Sequence, residues 1–377
     1  MGPVLPWFLR RTFGILRVDI VGLEHLHASL RADQGILLLV NHCRDEDGLV
    51  MGMLSCKVGS WFYYMASWHL LKRGCVEGFL LPRLGVFSTY REGPDRASVR
   101  NAVDILVHSR RPLVIFPEGF LGRTNDRLNT LMDGAALIAR NAAKKRAKQI
   151  PPSRVVVHPV ALRYKFLGNI EVALAEVLGQ IETLLNCASP ASRPVRERVL
   201  AISEALLARQ EMEYLGSVQT GTMAERLSGL THSILIPMEE EWLGGRQEGA
   251  VQSRVRELRA AIVPSLVAGG LPEAERQRRW RLLTGIYLAQ QLDNYPPDYL
   301  SGNPSPERLL ETVERFEEDL TDKIRLHGPL TVTISIGEAI PVNPTREVRG
   351  EMDPLLREVE KRLRALLGIA PLTNDGP

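Results

Sequence analysis

Residues 36 to 40, ILLLV, form an unbroken aliphatic run that stops at Asn41 and His42. A run this short and this apolar fits a strand buried on both faces, inside a sheet covered by helices on either side. Asp33 and Gly35 punctuate its start. His42 then falls just past the strand's carboxyl end, the edge at which open α/β sheets receive ligands. The residues that follow, Asp45 to Cys56, open with acids, as the N-terminal helix dipole prefers. This predicts a helix with Asp47 in its first turn.

An imidazole with a carboxylate so near suits general-base chemistry. Neutral histidine takes a proton from an attacking hydroxyl, while the carboxylate orients the ring and stabilises the imidazolium that forms. Such a pair requires no Ser or Cys nucleophile. Of the eight histidines only His42 has an aspartate five residues on. A hydrogen-bonded structural histidine is the competing reading of the same spacing.

Composition sets the frame. A chain of 377 residues, 45% of them hydrophobic, can build one large decorated domain or two domains. A net charge of +3 without interleaved basic and aromatic motifs argues against a nucleic-acid partner. Cys43, Cys56, Cys75 and Cys187 show no paired spacing, as expected of reduced thiols in the cytoplasm. The acids around Cys43 are too nearly consecutive to converge on one ion, so no metal is expected.

Two basic stretches could face an anionic membrane surface. Residues 7 to 17, WFLRRTFGILR, mix arginine with Trp7, Phe8 and Phe13, and residues 140 to 154 carry six Arg or Lys and no acid. A docked terminal segment and a solvated helix end are the alternatives. Arg10 and Arg11 interrupt the only early apolar run, which argues against a secretory signal. The longest stretch free of Asp, Glu, Lys and Arg, Val58 to Leu71, has 14 residues, short of the roughly twenty that a spanning helix needs. Membrane contact is therefore expected to be peripheral, through residues 1–14.

Strand and helix signals alternate along the first part of the chain. Residues 15–22 read as a strand, Glu24 to Gln34 as a turn, Trp61 to Ala66 as a strand, and Ser67 to Leu81 as one or two short helices. Gly85 to Tyr90 suits a strand, Asp95 to Ser109 a helix, Arg111 to Phe116 a buried strand, and Leu131 to Lys148 a helix. Arg154 to Leu162 reads as a strand interrupted by Pro159. Such alternation predicts an α/β fold with a mostly parallel central sheet flanked by helices.

From about residue 170 apolar residues recur at three and four, and Ser305 with Pro306 makes a helix start. No internal repeat is evident there. The strand pattern returns at Thr331 to Ile336, TVTISI, and Asp353 with Pro354 opens a helix that stops at Gly368. An alternating strand needs neighbours and a core, which a purely helical C-terminal domain lacks. Residues 15–169 and 328–370 are therefore expected to form one α/β domain, with 170–327 a large all-helical insertion.

Three further clusters fall at the same predicted sheet edge: GVFSTYR, which ends in Arg91; FPEG, with Glu118 and Gly119; and the strand after Pro159. With His42 and Asp47 in NHCRDED, they resemble the glycerolipid acyltransferase family, the lysophosphatidic acid acyltransferases and their relatives. The resemblance covers about residues 15 to 165. It implies that His42 is the base and Asp47 its partner, and that the acceptor hydroxyl attacks an acyl thioester directly. It further implies that Arg91 holds the acceptor's phosphate and that Glu118 and Gly119 bind or orient its glycerol. Arg123 is a further phosphate candidate.

The chain departs from the family pattern at Phe120 and Leu121, where the family often has Thr-Arg, and at Ser88 and Tyr90. The departures touch acceptor identity more than the acyl-transfer core. The resemblance implies an O-acyltransferase with acyl-CoA or acyl-carrier protein as co-substrate, no other cofactor, and a lysophospholipid acceptor, 1-acylglycerol-3-phosphate first. The alternatives are an acyltransferase for another lipid and a membrane-associated binding or scaffold protein on the same fold. A lipid hydrolase would call for a Gly-x-Ser-x-Gly elbow, which does not occur.

Overall fold

The computed structural model of the chain describes residues 4–71, 74–90, 95–190, 192–294, 298–323, 325–345 and 352–370. In chain order the elements are α1 (Val4–Phe13), β1 (Ile15–Val21), α2 (Leu23–Arg31), β2 (Gly35–Val40), α3 (Asp47–Val58), β3 (Tyr63–Ser67), α4 (Trp68–Leu71) and α5 (Cys75–Arg83). They continue with β4 (Val86–Thr89), α6 (Arg96–His108), β5 (Leu113–Ile115), α7 (Gly134–Arg146) and β6 (Val155–Phe166). The helices α8 (Ile170–Leu185), α9 (Val195–Leu215), α10 (Met223–Leu243), α11 (Val251–Ala268), α12 (Glu273–Asp293) and α13 (Pro306–Thr321) follow. Then come β7 (Leu330–Ile336), β8 (Ile340–Pro341) and α14 (Pro354–Leu367).

Among the described residues the strands form one eight-stranded sheet in the order β1-β7-β6-β2-β5-β3-β4, with β8 also on β6. Every neighbouring pair is parallel except β6 with β7 and β6 with β8. The fold is α/β, with a mostly parallel sheet flanked by helices. β2 lies at its centre, and each of its residues is buried.

Alternate residues point to opposite faces of a strand. Leu37, Leu39, Leu113, Ile115, Val155, Val157 and Ala161 enter one core with α6, α7 and α14. His158 and Tyr164 point to the other face, where they meet Ser29 of α2 and Asp47 of α3. One buried ion pair ties the first layer: Arg140 of α7 donates to both carboxylate oxygens of Asp353, at 2.8 and 2.5 Å. Asp353 also caps α14 by accepting from Leu355 N, and Pro354 stands at the first helical position.

Two local expectations are corrected. Residues 24–34 do not form a turn; most of them belong to α2, whose Leu26 and Ser29 are buried. Its start has no side-chain cap, only Gly22 in the left-handed region, so the usual start signal is missing. Pro159 does not interrupt its strand either: β6 runs through it. A residue's N–H and C=O point to the same edge, and the Pro159 carbonyl accepts from Gly337 N at 2.8 Å. Its missing N–H thus faces the gap between β7 and β8, where no ladder bond is lost.

The chain divides into two compact units, and the sheet-bearing unit resumes at Gly328 after the helices. β7 therefore enters the sheet, between β1 and β6, from beyond the helical stretch. The helical unit, from Gly168 to His327, packs α9 to α12 around Leu230, Leu235, Leu258, Ile262 and Ile286.

The helical unit does contain an internal repeat. Arg226 clasps Glu211 through its Nε (2.9 Å) and a terminal nitrogen (2.8 Å), and Gln219 N donates to Glu211 Oε2 at 3.1 Å. Arg254 clasps Glu239 in the same way (2.6 and 3.0 Å), and Gln247 N donates to Glu239 Oε2 at 3.1 Å. The offsets are identical, and left-handed Gly216 and Gly244 end the two helices. The matching segments read EYLGSVQTG and EWLGGRQEG.

Candidate active site

The site is built where β2 ends. Its register with β6 stops at Val40 opposite Val160, so the next residues need other partners. Asn41 supplies one: its side-chain amide donates to Leu162 O at 3.0 Å and accepts from Leu162 N at 2.7 Å. His42 is thereby launched from a fixed position.

Three interactions with the loop after β5 hold His42 itself. Its N–H donates to Glu118 Oε1 at 2.8 Å, and its carbonyl accepts from Gly122 N at 2.8 Å. Its ring stacks on Phe116, centroids 4.2 Å apart. The FPEG segment thus grips the histidine backbone. Glu118 is buried, and its other oxygen accepts from Asn129 N at 3.0 Å and Asn129 Nδ2 at 2.7 Å. Burial raises its pKa, and the donors from His42 and Asn129 oppose that rise.

His42 Nδ1 lies 2.9 Å from Asp47 Oδ2. The carboxylate can only accept, so Nδ1 is the nitrogen that carries a proton toward Asp47, and in a neutral ring Nε2 is the one left with the lone pair. Asp47 Oδ2 also accepts from Cys43 N at 2.7 Å and Arg44 N at 2.9 Å, and Oδ1 accepts from Tyr164 OH at 2.7 Å. The loop between β2 and α3 is folded around this carboxylate, which is fully buried, while the His42 side chain keeps 20% of its surface exposed. Hydrogen bonds to a charged group contribute about 1.5–3 kcal/mol each.

Gly119 has φ +77°, and a Cβ there would lie 2.1 Å from Met132 Sδ. The turn of FPEG therefore has two reasons to be glycine, its backbone and its packing. Arg123 also has positive φ and lies 3.6 Å from Asp45, beside the His42 loop. Arg91, expected at the acceptor's phosphate, lies outside the described residues. The structure thus brings His42, Asp47, Glu118, Gly119 and Arg123 to one end of the sheet. Sequence reasoning did not single out Asn41, Phe116, Asn125, Asn129 or Tyr164. Asn41 and Phe116 stood inside the quoted motifs; Asn125 and Asn129 lie in a polar loop without period.

A model of the Acyltransferase family matches residues 17–163. Residues 17–163 are thus an acyltransferase domain of the glycerolipid acyltransferase type, and that domain supports a general acyltransferase function. No curated protein and no solved structure matches it.

Proposed function

We propose that this chain moves a fatty acyl group from an acyl thioester, acyl-CoA or acyl-carrier protein, to the hydroxyl of a lysophospholipid, 1-acylglycerol-3-phosphate. The observation that carries this reading is the His42–Asp47 pair: a carboxylate on Nδ1 leaves Nε2 to act as a base. Nε2 takes the acceptor's hydroxyl proton as the oxygen attacks the thioester carbonyl. The C–S bond then breaks, and the leaving thiolate recovers the proton from the imidazolium. No acyl-enzyme is needed, because a thiol leaves readily and the base activates the acceptor directly.

Glu118 works in this scheme by orientation, since its oxygens hold His42 N and Asn129. Arg123, and Arg91 by resemblance, supply guanidinium groups suited to a phosphate. Among the described residues no helix is long and apolar enough to cross a membrane. Peripheral contact through α1 is part of the proposal. Leu9 packs inward, while Val4, Trp7 and Phe8 are exposed beside Arg10 and Arg11. The register of β1 with β7 puts Ile15, just after α1, level with Leu330 and Phe166, at the His42 end of the sheet. The basic residues after α7 lie at the opposite end, where β6 begins.

The test offers the purified protein a mixed lysolipid pool with acyl-CoA or acyl-carrier protein and identifies the acylated product by mass. A new diacyl product lost in folded His42→Ala, by about two to four orders of magnitude, is the expected result. Turnover in that variant close to the parent's would remove the mechanism.

A further inference from the structure

Tyr164 lies just past the segment that matches the family, and no substrate-facing role is open to it because it is buried. Its hydroxyl nevertheless reaches the centre of the site, donating to Asp47 Oδ1 at 2.7 Å. Burial, with Asp47 beside it, pushes the phenol well above its ordinary range, so the hydroxyl keeps its proton and serves as donor.

The geometry around the carboxylate gives this bond a specific task. His42 Nδ1, Cys43 N and Arg44 N all fall on Oδ2. Three donors on one oxygen fix where that oxygen sits; the carboxylate plane then depends on what holds Oδ1, where Cys43 Sγ at 3.9 Å is only a weak donor. Tyr164 holds that oxygen and sets the plane. Tyr164 is in turn held from outside its strand. β2 has already ended, and Asn125 takes its place along the edge of β6: Tyr164 N donates to Asn125 Oδ1 at 2.6 Å, and Asn125 Nδ2 donates to Tyr164 O at 2.6 Å. Asn41 does the same for Leu162. A buried side chain locked at both backbone and hydroxyl is how a site keeps a reacting group aligned.

We propose that Tyr164 is a positioning residue of acyl transfer, setting through Asp47 the plane of the carboxylate and hence the direction in which His42 presents Nε2. Asn125 fixes Tyr164 for that role. The proposal rests on the reading of His42 as the base.

The experiment compares full-length wild type, Tyr164→Phe and His42→Ala, with palmitoyl-CoA as donor and the lysolipid pool as acceptor. Tyr164→Phe keeps the ring and deletes only the donor. Expected is a fall in kcat of about 10–100-fold with KM for both substrates within about twofold, the signature of lost alignment without lost binding. The low-field proton resonance of His42 Nδ1–H, assigned by its absence in His42→Ala, should shift or broaden. That resonance is read on the free protein, so it decides the matter without turnover. Either an unchanged kcat or an unchanged resonance overturns the proposal, whatever happens to thermal stability.

If Tyr164→Phe is insoluble, 3-fluorotyrosine at position 164 replaces it. The fluorine strengthens the donor without removing it, so an unmoved resonance again overturns the proposal. The two readings fail separately. Turnover surviving in His42→Ala sinks the base mechanism itself, whereas an inactive His42→Ala beside an unaffected Tyr164→Phe sinks only the role given to Tyr164.

Discussion

Asn41 meets the backbone of Leu162 with both ends of its amide, donating at 3.0 Å and accepting at 2.7 Å. A side chain thereby continues the β2–β6 ladder one step past the end of β2. Asn41→Ala orphans a buried N–H and a buried C=O, at about 1–3 kcal/mol for each group. Asn41→Leu should restore volume and not stability. Asn41→Asp keeps the acceptor but turns the donor into a buried carboxylate oxygen facing the Leu162 carbonyl, and should fall below Ala. Urea midpoints of the three variants check this ordering.

Gly119 makes a second prediction. Gly119→Ala meets both a left-handed φ and the Met132 sulfur. A left-handed non-glycine residue costs about 1–2 kcal/mol. Met132→Ala removes the clash and leaves the backbone strain, so the double variant should regain part of the loss. Full recovery of the melting temperature would mean that the backbone conformation contributes nothing.

His158 predicts an acid dependence of stability. It is fully buried, its Nδ1 lies 2.8 Å from Gly337 O and its Nε2 2.9 Å from Ser29 Oγ. Burial lowers its pKa, and the Gly337 hydrogen bond only partly opposes this. The folded state therefore holds the ring neutral while the unfolded chain protonates it near the ordinary value of about 6.5. The stability that His158 contributes is complete above that pH and is lost as the pH falls from there toward the lowered folded value. Denaturation of His158→Gln across that window should show a shallower acid loss than wild type; parallel curves would assign the acid sensitivity elsewhere.

The repeated clasp in the helical unit gives a fourth. Glu239 is fully buried against Arg254. Removing one partner of such a pair costs about 3–5 kcal/mol, because the other charge is left buried alone. Arg254→Met should be strongly destabilising, and Arg254→Met with Glu239→Leu much less so. The denaturation free energies of the single and double variants, measured on the full chain, test this.

Several parts of this structure were legible because one local signal governed them. The aliphatic run of β2 ending at His42, the alternation TVTISI, and the Asp353-Pro354 helix start each have a physical cause within a few residues. α2 was not legible because glycine stands where a capping side chain announces a helix. The course of β6 through Pro159 depends on which edge its missing N–H faces, a property of the neighbouring strands. Tyr164 is hidden for the same reason, since the apolar pattern of its strand runs out at Leu162. The repeat rests on a few residues, Glu, Gly, Gln and Arg, at matching offsets in otherwise divergent helices; the buried clasp they make is visible only in three dimensions. Asn125 and Asn129 sit in a loop whose shape answers to the backbone of distant residues.

The sheet order has a consequence for synthesis. Among the described residues β1 is an edge strand whose one neighbour is β7, pairing Ile15 with Leu330. A ribosome adds about 5–20 residues per second, so the first strand waits on the order of tens of seconds for its partner. During that interval the whole helical unit emerges, while β1, packed with α1 and α3, has no strand to pair with. The β1–β7 pairing thus closes the roughly 300 residues of chain between Ile15 and Leu330, the kind of closure that topology makes slow. In a living cell, the newborn chain's greatest exposure to chaperones and to aggregation falls between the appearance of its first strand and the arrival of the strand that seals it.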